Sequence, residues 1–284
     1  MELKITQQQL RRLVEQTSPE LSSIEEVRGY TFDWDDNILF MPTKIKLLYT
    51  GDGKKEIKYV TTTEYAEIRE NPDYQILDDS FSEFRNEESF YKDLKYALNN
   101  KKYGPSFDKF KESLLYANPF AIITARSAPP EVIKKGVRIF IGEIFNEEEL
   151  EVMINNIKRN YKEVASEENP ENIINYYLNQ NDYQTVSSPE FQDKYQSSSG
   201  VDKPEEGKKI ALLDYVEKVV SNAKHLVNNR YKRLSIGFSD DDKKNVEAIK
   251  SFIQDELLDE YPQVNFVVYD TSDGTKNKLI IKKV

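Results

Sequence analysis

Short apolar runs alternate along this chain with amphipathic stretches of helical period. A strand is predicted around residues 30–32, ending at the polar cluster Asp33 to Asn37. Two β-rich runs flank Gly51, Asp52 and Gly53 in KIKLLYT-GDG-KKEIKYVTT and predict a hairpin. FYKDLKYALNN and SFDKFKESLLYA predict helices, with Leu94, Leu98, Phe107, Phe110, Leu114 and Leu115 on their apolar stripes. PFAIITARS reads as a buried strand ending in small polar residues, and PPEVIKKGVRIFIGEIF as a helix with proline in its first turn. Residues 146–182 are charged and asparagine-rich, with helical pieces around 150–157 and 173–178, and read as an elaboration outside the core. YQTVSS is a further strand and QDKYQSSSGVDKPEEG a polar loop. The rest alternates: helix KKIALLDYVEKVVSNAKHLV, strand RLSIGFS, helix KKNVEAIKSFIQDELL and strand VNFVVYD, then a turn at Gly274.

Strands alternating with helices predict an α/β fold of Rossmann-like type, a doubly wound and mostly parallel sheet with helices on both faces. Ligands in such folds bind beyond the carboxyl ends of the strands. Three predicted strands end in polar clusters, Asp33 to Asn37, Thr124 to Ser127 and Ser239 to Asp242, and these are expected to converge. Residues 1–29 read as a helical leader, with Thr6 as cap and Leu10, Leu13 and Val14 on one face. Packing on the domain and docking to a protein partner are its two readings. Residues 30–284 form the core domain, with insertions at about 43–105 (a β-hairpin flap or cap) and 143–182.

Composition narrows the function. Forty Lys and Arg against fifty Asp and Glu leave a formal charge of −10. That argues against a general nucleic-acid or anionic-membrane surface, though not against a local basic pocket. The absence of cysteine removes disulfides, thiolate nucleophiles and thiolate metal sites, and fits a reducing compartment. No secretion signal or membrane-spanning stretch is evident, so a cytoplasmic protein is expected.

The chemistry centres on TFDWDDNILFMP, where Asp33, Asp35 and Asp36 crowd together and call for a positive partner. Asp33, Asp35 and Asn37 match the first ligand positions of a helix–loop–helix calcium site, but Ile38 and Lys44 stand where glycine and glutamate are required. That reading fails. Trp34 alternates with the aspartates and is expected to pack away from them. His225 reads as an ordinary helix residue.

The arrangement resembles the haloacid dehalogenase superfamily of aspartate-nucleophile hydrolases. Its four motifs match YTFDWDDNIL, FAIITAR with Thr124, a lysine in EEGKKIALL, and LSIGFSDDDKKN with Asp240, Asp241 and Asn245. They occur in family order over residues 30–245. Asn37 departs from the usual Thr or Val, and Asp36 from a common glycine. The leader is similar to leaders on proteins of large tailed bacteriophages, which would put the chain in a host cytoplasm.

The resemblance implies a Mg2+-dependent phosphatase. Asp33 would be the nucleophile and Asp35 the general acid and base. Asp33, the Asp35 carbonyl and Asp241 would hold the ion, with Asp240 as a further ligand. Thr124 and the motif-three lysine would hold phosphoryl oxygens. The family's pattern of lysine, two residues, then Ala-Leu aligns Lys208 with Ala211 and Leu212, with Lys209 as alternate. An apolar stripe of Ile210, Leu213, Val216 and Val220 leaves neither lysine in the core. Arg126 would bind substrate phosphate or be a surface arginine. The substrate is a phosphorylated compound of open class, and the hairpin after Lys44 is expected to cover the site mouth. A binding or structural protein on the same fold is the alternative.

Overall fold

In chain order the strands are β1 (Glu26–Phe32), β2 (Ile45–Tyr49), β3 (Glu56–Val60), β4 (Tyr74–Ile76), β5 (Phe120–Thr124), β6 (Asp182–Thr185), β7 (Arg233–Asp240), β8 (Val264–Asp270) and β9 (Asn277–Ile281). They come from a computed structural model that describes residues 26–196, 203–226, 233–275 and 277–281. The predicted leader helix lies outside the described residues.

Six strands form one sheet in the order β6-β5-β1-β7-β8-β9. All neighbours pair in parallel except β8 and β9. Counted along the chain within this sheet, the order is 3-2-1-4-5-6. That order is compatible with a Rossmann-like fold, and its reversal point lies between β1 and β7.

The side-chain period explains how the sheet is covered. On β5, Phe120 and Ile122 enter one hydrophobic core while Ala121 and Ile123 enter another, so both faces are buried. The helices are α1 (Thr62–Ile68), α2 (Glu87–Asn99), α3 (Phe107–Leu115), α4 (Pro130–Ile144), α5 (Glu147–Asn160), α6 (Pro170–Gln180), α7 (Pro204–Leu226) and α8 (Lys243–Phe252), besides shorter turns. Helices α2 to α6 supply the first core, and α7 and α8 the second.

Two expectations are corrected here. Residues 146–182 do not lie outside the core: Met153, Ile157, Ile173, Ile174, Tyr177 and Leu178 are buried with Phe120. Their charged residues occupy only the outer faces, and the segment is the crossover from β5 to β6. Helix α7 begins at Pro204, and its buried face carries Ala211, Leu212, Tyr215, Val216, Val219 and Val220. Ile210 and Leu213 are only partly buried. Lys208 precedes Ala211 and Leu212 by three and four residues, which puts it on the core side.

The predicted hairpin is β2 and β3, joined through Gly51–Gly53 and extended by β4 into a small antiparallel sheet. Ile45, Leu47 and Phe84 form its own small core. The later part of the expected insertion belongs to the main body, because Phe90, Leu94, Ala97 and Leu98 of α2 pack into the first core. Among the described residues no helix is long and apolar enough to cross a membrane.

Candidate active site

Chain beyond β1 turns sharply at the reversal point of the sheet. Asp33 N donates to Ser239 O at 3.0 Å, and Ile38 N donates to Trp34 O at 3.1 Å. Asp36 takes φ 54°, a left-handed conformation that aspartate tolerates better than most residues. Trp34 is fully buried against Phe90 and Phe110, as its alternation with the aspartates predicts. From outside, Gly104 N and Ser106 N donate to Ile38 O and Asn37 O at 2.9 and 2.8 Å. A Cβ on Gly104 would stand 2.4 Å from Asn37 O, so this close approach needs glycine.

Asn37 is a buried cross-link. Its Nδ2 lies 3.2 Å from Asp33 O, 3.1 Å from Ser239 O and 2.9 Å from Ser239 Oγ. Its Oδ1 accepts from Thr271 Oγ1 at 3.0 Å. One amide thus ties the loop to the ends of β7 and β8. Asn37→Ala is expected to cost about 2–3 kcal/mol, because buried polar partners lose their bonds. Denaturant midpoints measure this, and an unchanged midpoint would contradict the cross-link.

The three polar clusters converge. Lys208 Nζ donates to Asp33 Oδ1 at 2.7 Å and to Asp240 Oδ2 at 2.6 Å. Asp240 Oδ1 also accepts from Asp242 N at 2.9 Å and Asn245 Nδ2 at 3.1 Å. Burial opposes the charge on Lys208, but Asp240 and Asp33 outweigh it and raise its pKa, so it stays an ammonium. Burial, with help from Asp240 and Asp35, pushes Asp33 well above the ordinary carboxylate range despite Lys208. Asp241 is raised too, by burial first and then by Asp33, Asp240 and Asp36. Its carboxylate makes no hydrogen bond or ion pair with any described residue.

Lys208 is therefore the lysine that meets the aspartates, and its expected place outside the core is wrong: it is 1% exposed. Two carboxylates compensate its burial, which a stripe of apolar residues cannot reveal. Lys209 points away and pairs with Glu206 at 2.8 Å. Lys194 pairs with Asp214. Thr124 ends β5 beside β1, buried, with Oγ1 accepting from Arg126 N at 3.3 Å.

Arg126 is neither on the surface nor open to solvent. Its Nε and Nη2 donate to Asp35 Oδ2 and Oδ1 at 2.8 and 2.7 Å, and it is 1% exposed.

The small sheet reaches the same mouth. Thr62 and Thr63 at the start of α1 donate to Asp36 Oδ2, and Arg69 just after α1 makes a two-pronged pair with Asp242 at 2.7 and 3.2 Å. Burial works against the charge on Asp242, but Arg69 prevails and holds it below its ordinary pKa. This tether is therefore present above the usual carboxylate pKa and lost only as pH falls through the lower folded value. These contacts of α1 and Arg69 escaped sequence reading, although Thr61 and Glu64 carry the capping-box spacing that starts α1.

Among the described residues no group of three or more His, Cys, Asp or Glu side chains is gathered as a metal cage. A hard cation such as Mg2+ needs fewer, since it keeps several waters and takes one or two carboxylates. Here Asp33 and Asp240 share the single ammonium of Lys208, while the buried Asp241 beside them is uncommitted, so the donor set fits such an ion. No protein-family model, curated protein or solved structure matches this chain.

Proposed function

We propose that the chain is a Mg2+-dependent phosphohydrolase of the haloacid dehalogenase type, acting as a phosphatase. The observation that carries this reading is Lys208 bridging Asp33 and Asp240 at the sheet's reversal point. A buried ammonium between two carboxylates provides a charged floor for a phosphoryl group. Asp33 attacks phosphorus in line, forming an aspartyl phosphate as the P–O bond to the leaving group breaks. Asp35 gives that oxygen a proton and later takes one from the hydrolytic water. Thr124 and Lys208 hold phosphoryl oxygens. Asp33, the Asp35 carbonyl and Asp241 would hold the Mg2+, with Asp240 outside them. Bound there, the ion offsets the repulsion between carboxylate and phosphate.

The rival reading, a binding protein without turnover, draws on the closed pairing of Asp35 with Arg126. Hydrolysis of p-nitrophenyl phosphate decides between them. Release of nitrophenolate with Mg2+ and its loss with chelator are expected. No turnover with any divalent metal, in folded protein, would sink the phosphatase.

The small sheet would act as a flap over the mouth, tethered through Asp36 and Asp242. Replacing residues 45–60 by a short turn should change preference across a panel of phosphorylated compounds and leave Mg2+ affinity intact. Loss of Mg2+ affinity would count against that role.

A further inference from the structure

Arg126 follows Thr124 by two residues at the mouth of the sheet, where a cation invites assignment to substrate phosphate. Its surroundings argue otherwise. The guanidinium carbon sits 5.0 Å from the Phe84 ring centre and 4.9 Å from that of Phe90, and two nitrogens grip both oxygens of Asp35. Nη2 also donates to Thr43 Oγ1 at 2.8 Å, and Thr43 donates to Asp93 at 2.7 Å. Reaching substrate would break a desolvated two-pronged ion pair and expose an aromatic slot. Thr43 stands directly before the flap, so one guanidinium holds the flap root, the exit of β5 and the carboxylate of Asp35 in fixed relation.

We propose that Arg126 is a positioning residue that acts through Asp35, orienting its carboxylate and the loop that carries it, rather than a substrate ligand. This rests on the phosphohydrolase reading above. A residue that works through another has no separate effect once that other is disabled. Asp35→Asn disables the acid while leaving an oxygen for the fork to hold. Asp35→Asn/Arg126→Met removes both charges, so neither is left buried alone.

The test uses p-nitrophenyl phosphate, whose leaving group departs without a proton and keeps weak variants measurable. Arg126→Met should lower kcat by about a hundredfold, through the misplaced Asp35 base that takes a proton from the hydrolytic water, with KM within about threefold. Arg126→Lys should recover part of the loss. In the Asp35→Asn background, Arg126→Met should lower kcat by no more than about threefold further. Should Arg126→Met alone fail to fold, which circular dichroism will show, this double variant against Asp35→Asn still decides. A tenfold or larger rise in KM, a full additive loss in that background, or an unchanged kcat for folded Arg126→Met would overturn the assignment. An inactive wild type would overturn it together with the phosphatase reading, and is recognised because no rate remains to compare.

Discussion

Lys208→Ala should reduce phosphatase turnover by orders of magnitude and destabilise the fold as well. Its ammonium is the counter-charge that Asp33 and Asp240 share, 2.7 and 2.6 Å away and out of water. Removing one member of a buried ionic group leaves the others uncompensated, at a cost of about 3–5 kcal/mol. Asp33, already raised by burial, would then bind its proton still more readily folded than unfolded. The variant's stability deficit should therefore shrink as pH falls toward the usual carboxylate range and grow as pH rises toward the raised folded-state value of Asp33. Urea titrations at several pH values measure this beside the rate. Lys209→Ala, which removes only a partly exposed pair with Glu206, should be mild in both. A stable, active Lys208→Ala would remove the lysine from the mechanism.

Asp33→Asn is the second large effect, and it runs the opposite way in stability. Turnover should fall by at least about 10⁴-fold, as loss of a nucleophile does elsewhere. Yet Asp33 is a buried carboxylate pushed up by burial, Asp240 and Asp35, so the neutral amide should leave the fold as stable or more so. A melting temperature at or above wild type together with lost phosphatase turnover is the expected pair of results. Retained turnover would end the nucleophile assignment. A sharp loss of stability would mean that the Asp33–Lys208 bond holds the fold together rather than serving chemistry.

Much of this was legible from residues alone. The buried strands announce themselves as apolar runs, and their polar ends, Asp33, Thr124 and Asp240, meet because parallel strands deliver their carboxyl ends to one edge. Lys208 was legible as a motif residue but not as a core residue. The buried face runs through Ala211 and Leu212 rather than Ile210 and Leu213, and burial of a lysine depends on partners 175 and 32 residues away. The burial of Arg126 escaped notice for the same reason, since its partner Asp35 lies 91 residues off. The crossover 146–182 looked peripheral because its outer face is so charged, while its inner residues are few and well spaced. Strand β9 went unseen: five residues at an edge, with only Leu279, Ile280 and Ile281 apolar, carry little pattern.

The claim at the centre is that Asp33 becomes phosphorylated. Acid quenching during turnover of a phosphate ester, followed by peptide mapping, measures this most directly. A hydroxylamine-sensitive acyl phosphate is expected on the peptide containing Asp33, present with Mg2+ and absent in Asp33→Asn. Steady turnover with the phosphoryl group on another residue, or with none trapped even in an Asp35→Asn variant, would contradict it.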